Sequence, residues 1–104
     1  FLIYEIAICI NALCFDKKNR KFIFNKKKSK NLLKGYSSLR KLSKDEKNSL
    51  NVLCRGAALR YLLTRTYDYL NTSKSAIIKI KNPREYIQKL KIHNKFNNFK
   101  NYYN

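Results

Sequence analysis

An all-α chain is the fold class that this 104-residue sequence predicts, on three observations. Residues 1–15, FLIYEIAICINALCF, are apolar or aromatic except for Glu5 and Asn11. Later stretches repeat their apolar side chains every three or four residues, the period of a helix rather than of a strand. Helix-start signals stand at 43–46, SKDE, and at 82–83, NP. Four or five helices and no strand pair are expected.

The first helix falls in residues 1–15. A segment of this length that is apolar on every side belongs in a core, because a membrane span needs about 20 apolar residues. Glu5 in its middle would be costly in lipid, and the segment has neither a basic leader nor a small-residue cleavage site. Residues 17–31 are polar and mostly basic apart from FIF at 22–24, so they read as a solvated connection. Asn25 is placed to cap the helix that follows. In that helix Leu32, Leu33, Tyr36 and Leu39 share a face, and Gly35 weakens it or helps to end it. Ser43 and Glu46 form a capping box, with Asp45 and Glu46 in the first turn where the helix dipole favours negative charge. NVLCRGAALRYLLTRTYDYL at 51–70 reads as a long helix. At about 100° per residue, Val52, Gly56, Leu59, Leu62, Leu63, Thr66 and Leu70 fall on one stripe, which is the expected core face. Arg55 then falls within that stripe, Arg60 at its edge, and Arg65 roughly opposite, within reach of Asp68. A turn at 71–75 and a short extended run at 76–81 lead to Asn82 as N-cap and Pro83 at the first helical position. The last helix carries Tyr86, Ile87, Leu90 and His93 near one side, with His93 read as a packing or surface residue. The expected division is a helical unit over 1–96 and a frayed polar tail over 97–104.

Composition narrows the function classes. The 24 Lys and Arg against 6 Asp and Glu give a net charge of +18. Such a charge invites a small basic helical nucleic-acid-binding protein. That class needs clustered cations with a groove-reading helix or exposed aromatics. Here lysine is spread along the whole chain, among many Asn, Ile, Tyr and Phe, all residues of A/T-rich codons. No specific nucleic acid and no membrane are therefore expected as partners, and nothing in the residues sets an oligomeric state. Cys9, Cys14 and Cys54 form no CxxC, and the chain has one histidine, so no metal site is expected. The cysteines read as reduced, which points to the cytoplasm. The chain has no methionine and begins on its most apolar segment. It is expected to be a piece of a longer protein whose other parts cover that segment.

In order along the chain come YEIAICINALCFD, LLKGY, RGAALRYLLTRTYDYL and NPREYIQKLKIH. Over roughly residues 3–93 this series resembles the C-terminal end of bacterial homoserine kinases of the aminoglycoside and choline phosphotransferase family, whose fold is protein-kinase-like. The RGAALRYLLTR block together with NALCFD carries most of that resemblance. It implies that the chain is the helical C-terminal portion of the C-lobe of an ATP-dependent enzyme. That enzyme would phosphorylate L-homoserine to O-phospho-L-homoserine in threonine biosynthesis, using ATP and Mg²⁺. The catalytic loop, His-x-Asp with a following Asn, and the metal-binding Asp would precede Phe1. This chain alone is then expected to hold no catalytic residue, no cofactor and no activity. The family reads Tyr-Asp-Leu-Ala where this chain has Tyr-Glu-Ile-Ala. The resemblance gives Glu5 the role of an anchor that supports the catalytic loop, on a side chain one methylene longer. It makes Asn11, Arg55 and Arg60 candidates for the acceptor side, the arginines because guanidinium offers a carboxylate two parallel donors. Asn11, unpaired in an apolar helix, would cost about 1–3 kcal/mol, so a hydrogen bond to a neighbouring helix is its other reading. For Arg55 the other reading is a buried ion pair, with Glu5 the first candidate. A related kinase for another small hydroxylated acceptor fits the same residues.

Overall fold

The computed structural model describes residues 2–71 and 83–103. The elements run α1 (Leu2–Leu13), β1 (Phe15–Lys18), β2 (Lys21–Phe24), α2 (Lys26–Leu39), α3 (Lys44–Asn71), α4 (Arg84–Lys95) and α5 (Lys100–Tyr103). The described part is mostly helical, with one small sheet. Of the expected turn over 71–75, Asn71 is the last residue of α3; the rest of that turn, the extended run over 76–81 and the Asn82 cap lie outside the described residues.

α1 is the apolar centre. Ile3, Ile6, Ala7 and Ile10 are buried along it, and Cys14 follows just past its end. α3 crosses it on one side and α2 touches it on another. α4 packs on α3, and the short α5 packs on α2. Leu33, Leu42, Leu50, Cys54 and Tyr102 close the same core. Burying these side chains drives the fold, at roughly 25 cal/mol per Å² of apolar surface removed from water.

The chain between α1 and α2 is a β-hairpin, where a solvated connection and no strand pair are expected. Phe15 pairs with Phe24, and Lys18 with Lys21, in antiparallel register. Asn19 and Arg20 make the turn with φ of 49° and 68°. Two successive positive φ values are what a two-residue turn needs to match strand twist, and Asn tolerates them well. The alternation of KFIF turns Phe22 and Phe24 inward and leaves Ile23 exposed. α4 holds the hairpin edge through Gln88, whose Oε1 accepts from Phe22 N–H at 2.8 Å and whose Nε2 donates to the Arg20 carbonyl at 3.3 Å.

The helix starts follow the residues that predict them. Asn25 Oδ1 accepts from Lys28 N–H at 3.0 Å and begins α2. Gly35 lies inside α2 rather than at its end, and the helix stops at the extended Arg40. Ser43 and Glu46 exchange bonds of 2.9 and 3.1 Å, a complete capping box. Ser43→Ala is expected to lower stability by about 1 kcal/mol, read as a lower urea midpoint with unchanged slope.

Two expectations fail on burial. The tail is not frayed: Phe99 and Tyr103 pack against the core and Tyr102 is completely buried. Of its aromatic side chains, read as polar-tail residues, Tyr102 lies edge-on to Phe24 at 5.7 Å and to Phe96 at 5.2 Å. The buried face of α3 is Leu50, Asn51, Cys54, Ala57 and Ala58, while Val52, Leu59, Leu63 and Leu70 are exposed. From Cys54 onward the buried positions of α3 are small, Cys54, Ala57 and Ala58, while the larger Leu50 is buried nearer its start. Likewise α4 buries Tyr86, Lys89 and His93 and exposes Ile87.

Candidate functional site

A chain of polar side chains runs through the core where α1, α3, α4 and α5 meet. Asn11 is fully buried. Its Nδ2 donates to the carbonyls of Ala7 and Cys54, each at 3.1 Å. Its Oδ1 is therefore the acceptor for His93 Nε2–H at 2.8 Å. That leaves the His93 Nδ1 lone pair to accept from the Tyr102 hydroxyl at 2.9 Å. Tyr102 in turn accepts from Asn51 Nδ2 at 2.8 Å, and Asn51 also donates to the His93 carbonyl at 3.0 Å. The donors all run in one direction, so the imidazole is neutral and fixed in a single tautomer. Burial, reinforced by the charges of Lys89 and Arg55, pushes the His93 pKa down to about 4. Burial raises the Tyr102 hydroxyl far above its ordinary range and the Cys54 thiol to about 12. These groups bind and hold, and none is poised to exchange protons near neutral pH.

A charged cluster lies beside this chain. Lys89, almost fully buried, bonds the Asn11 carbonyl in the last turn of α1 and the Glu85 carboxylate one turn back on α4. It thus places a positive charge at the negative end of α1, which has no basic residue of its own in its last turn. The aromatic faces of Tyr86, Phe15 and Phe22 surround the ammonium, the nearest centroid at 4.7 Å. Arg65 completes the cluster with a 2.7 Å bond to Glu85 and stacks over Tyr86 at 4.3 Å. Burial pushes the Glu85 carboxyl up, but bonds from Lys89 and Arg65 outweigh it and leave it below the usual carboxylate range. The expected Arg65–Asp68 pair is replaced by this one.

Among the described residues, two surfaces stand open. Between α1 and α2 lies a groove of about 480 Å³, walled by Ile6 and Cys9 on one side and Leu32, Tyr36 and Leu39 on the other. Glu5 is exposed beside it. The second surface is the outer side of α3, with Val52, Leu59, Leu63 and Leu70.

The four site residues read from the sequence are not brought together. Glu5 is at the groove and forms no ion pair among the described residues. Asn11 is in the interior with its side-chain amide fully bonded, away from any open surface. Arg55 is exposed on α3 and has no ion pair among the described residues, so it is neither on a buried stripe nor paired with Glu5. Arg60 is exposed, 3.4 Å from the Tyr4 hydroxyl of α1 and 5.3 Å from the Tyr61 ring centroid. Sequence reasoning missed Lys89, Asn51 and Tyr102. The Glu85–Lys89 spacing of four was a usable signal; for Asn51 and Tyr102 no local pattern existed. Among the described residues no three His, Cys, Asp or Glu side chains converge as metal ligands. No described helix is long and apolar enough to cross a membrane.

Comparison with known proteins adds a direct likeness. The chain is 46% identical over 92 residues to the homoserine kinase of Brucella anthropi, and 49% identical over 92 residues to that of Paramagnetospirillum magneticum. It is 49% identical over 90 residues to the homoserine kinase of Acidiphilium cryptum. These matches take in 86–88% of this chain and 27% of each relative, so the chain spans about a quarter of their length. No protein-family model matches the chain.

Proposed function

We propose that this chain is the C-terminal part of a homoserine kinase, an enzyme that transfers the γ-phosphoryl group of ATP to the hydroxyl of L-homoserine. The identity of 46–49% to curated homoserine kinases over 86–88% of the chain carries this reading. The same likeness favours it over a small basic nucleic-acid-binding protein. In the cytoplasm the product would feed threonine synthesis. The protein-kinase-like fold of the parent rests on the resemblance of YEIA, NALCFD and RGAALRYLLTR to that family. Mg²⁺ would be held by parts of the parent outside this chain, where it would neutralise phosphate charge. The coding sequence before Phe1 tests the reading. Within about thirty codons it should encode His-x-Asp, an Asn five residues after that Asp, and then a further Asp. An in-frame stop directly before Phe1 would contradict it.

Within that enzyme, Glu5 supports the catalytic loop. Its exposed carboxylate at the α1–α2 groove has no ion-pair partner among the described residues, so it is free to accept backbone N–H groups from a loop laid there. Arg60 is the better acceptor-side candidate of the two arginines. It is exposed, preorganised by the Tyr61 ring, and tied to Tyr4, the neighbour of Glu5. A guanidinium there would fix the homoserine carboxylate by two parallel bonds. In an active parent enzyme, Arg60→Leu is expected to raise the KM for homoserine about 10- to 100-fold with a smaller change in kcat, as loss of a charged hydrogen bond does. Arg60→Lys should recover only part of it, because an ammonium lacks the fork. An unchanged KM would remove Arg60 from the acceptor site.

A further inference from the structure

α3 has two apolar faces, and among the described residues one of them is buried and the other exposed. The inner face, with Leu50, Asn51, Cys54, Ala57 and Ala58, is buried, and α3 packs on α1 and α4. Opposite to it, Val52, Leu59, Leu63 and Leu70 lie within about 20° of one line along the helix. They are 57%, 46%, 62% and 75% exposed. The line is about 27 Å long at 1.5 Å per residue. Gly56 sits within it, and nothing lies within 4 Å of where its Cβ would be. The spacing 52, 56, 59, 63, 66, 70 alternates four and three, which is the seam of a helix that packs lengthwise on another. Arg55 and Arg60 border the seam on opposite sides.

We propose that this outer seam of α3 is an internal interface of the parent kinase, covered by an amphipathic helix from the part of the polypeptide outside this chain, with acidic residues set against Arg55. The inference rests on the parent-kinase reading and adds where the parent closes on this chain. Three observations select that occupant. An exposed apolar strip of this length is far more than isolated surface leucines, and such strips mark interfaces. The curated relatives are nearly four times longer than the matched region, so chain that could cover it exists there. Charge selects against a second copy: α3 carries no acidic residue from Lys47 to Tyr67, so a copy would bring no carboxylate to Arg55. It would also add another +18 of charge, and like charges across an interface are strongly disfavoured.

The test is a chimera in which the matched region of the Brucella anthropi homoserine kinase is replaced by the corresponding residues of this chain. Leu59→Glu with Leu63→Glu should lower its thermal midpoint by about 10 °C or more. The same pair in the 104-residue chain alone should leave helix content and midpoint unchanged, because both positions face water there. Lys41→Glu with Lys91→Glu, both at exposed positions, should be harmless in both. Arg55→Glu should lower the chimera's midpoint and Arg55→Lys should restore most of it. A chimera that tolerates Leu59→Glu with Leu63→Glu overturns the proposal. So does a 104-residue chain that sediments as a dimer and becomes a monomer on those substitutions, which would make a second copy the occupant. An unsubstituted chimera that melts normally but does not phosphorylate homoserine contradicts the functional reading, while the melting differences still decide the seam.

Discussion

Lys89→Met is expected to lower the stability of this chain by about 3–5 kcal/mol, as removal of one partner from a buried ion pair does. The Lys89 side chain is only 2% exposed and its ammonium bonds both the Glu85 carboxylate and, among the described residues, the Asn11 carbonyl at the end of α1. Methionine fills a similar volume among Tyr86, Phe15 and Phe22, so packing is largely kept and the electrostatic loss dominates. Glu85 keeps Arg65 as a partner, which holds the expected cost within that range rather than above it. Urea unfolding checks this as a lower midpoint at constant slope. Lys91→Met, at an exposed position two residues on, should shift the midpoint by less than about 0.5 kcal/mol. Equal effects of the two substitutions would mean that Lys89 is not buried.

Mild acid should destabilise the fold through its histidine. The sole histidine, His93, has its pKa depressed to about 4 in the folded state by burial and by the charges of Lys89 and Arg55, against 6.5 for the free side chain. Below pH 6.5 the unfolded chain takes up a proton that the folded chain refuses. Stability is therefore full above about pH 6.5 and falls as pH drops toward 4. The total loss is about 3 kcal/mol at 1.36 kcal/mol per pKa unit. Asp16, Glu46 and Glu85 have depressed folded values, so their contributions are lost only at lower pH. The window between about 4.5 and 6.5 thus belongs to His93. His93→Gln is expected to be less stable at neutral pH but flat across that window. A wild-type midpoint that does not move between pH 6.5 and 4.5 would show that the imidazole protonates freely in the fold.

Local chemistry was legible wherever a residue acts on its own neighbours. Asn25 and the Ser43–Glu46 box each satisfy backbone groups within three residues, and both stand where the sequence puts them. The hairpin was hidden because its signal is faint: Asn19–Arg20 is not Asn-Gly, and lysines obscure the alternation around FIF. The burial of α3 was misread for a different reason. Large leucines dominate a helical projection, whereas the face pressed against α1 and α4 needs Ala57, Ala58 and Cys54. That error carried Arg55 into a core it does not enter. The polar chain of Asn11, His93, Tyr102 and Asn51 joins residues up to 82 apart, a distance over which no periodic pattern operates.

Phosphoryl transfer by the chimera with the Brucella anthropi enzyme tests the central claim most directly. With ATP, Mg²⁺ and L-homoserine it should produce ADP and O-phospho-L-homoserine in equal amounts, the phosphate ester being identified by ³¹P resonance. A chimera that folds but releases no phosphohomoserine, or that phosphorylates a different small hydroxylated acceptor in its place, would contradict the assignment of this chain to a homoserine kinase.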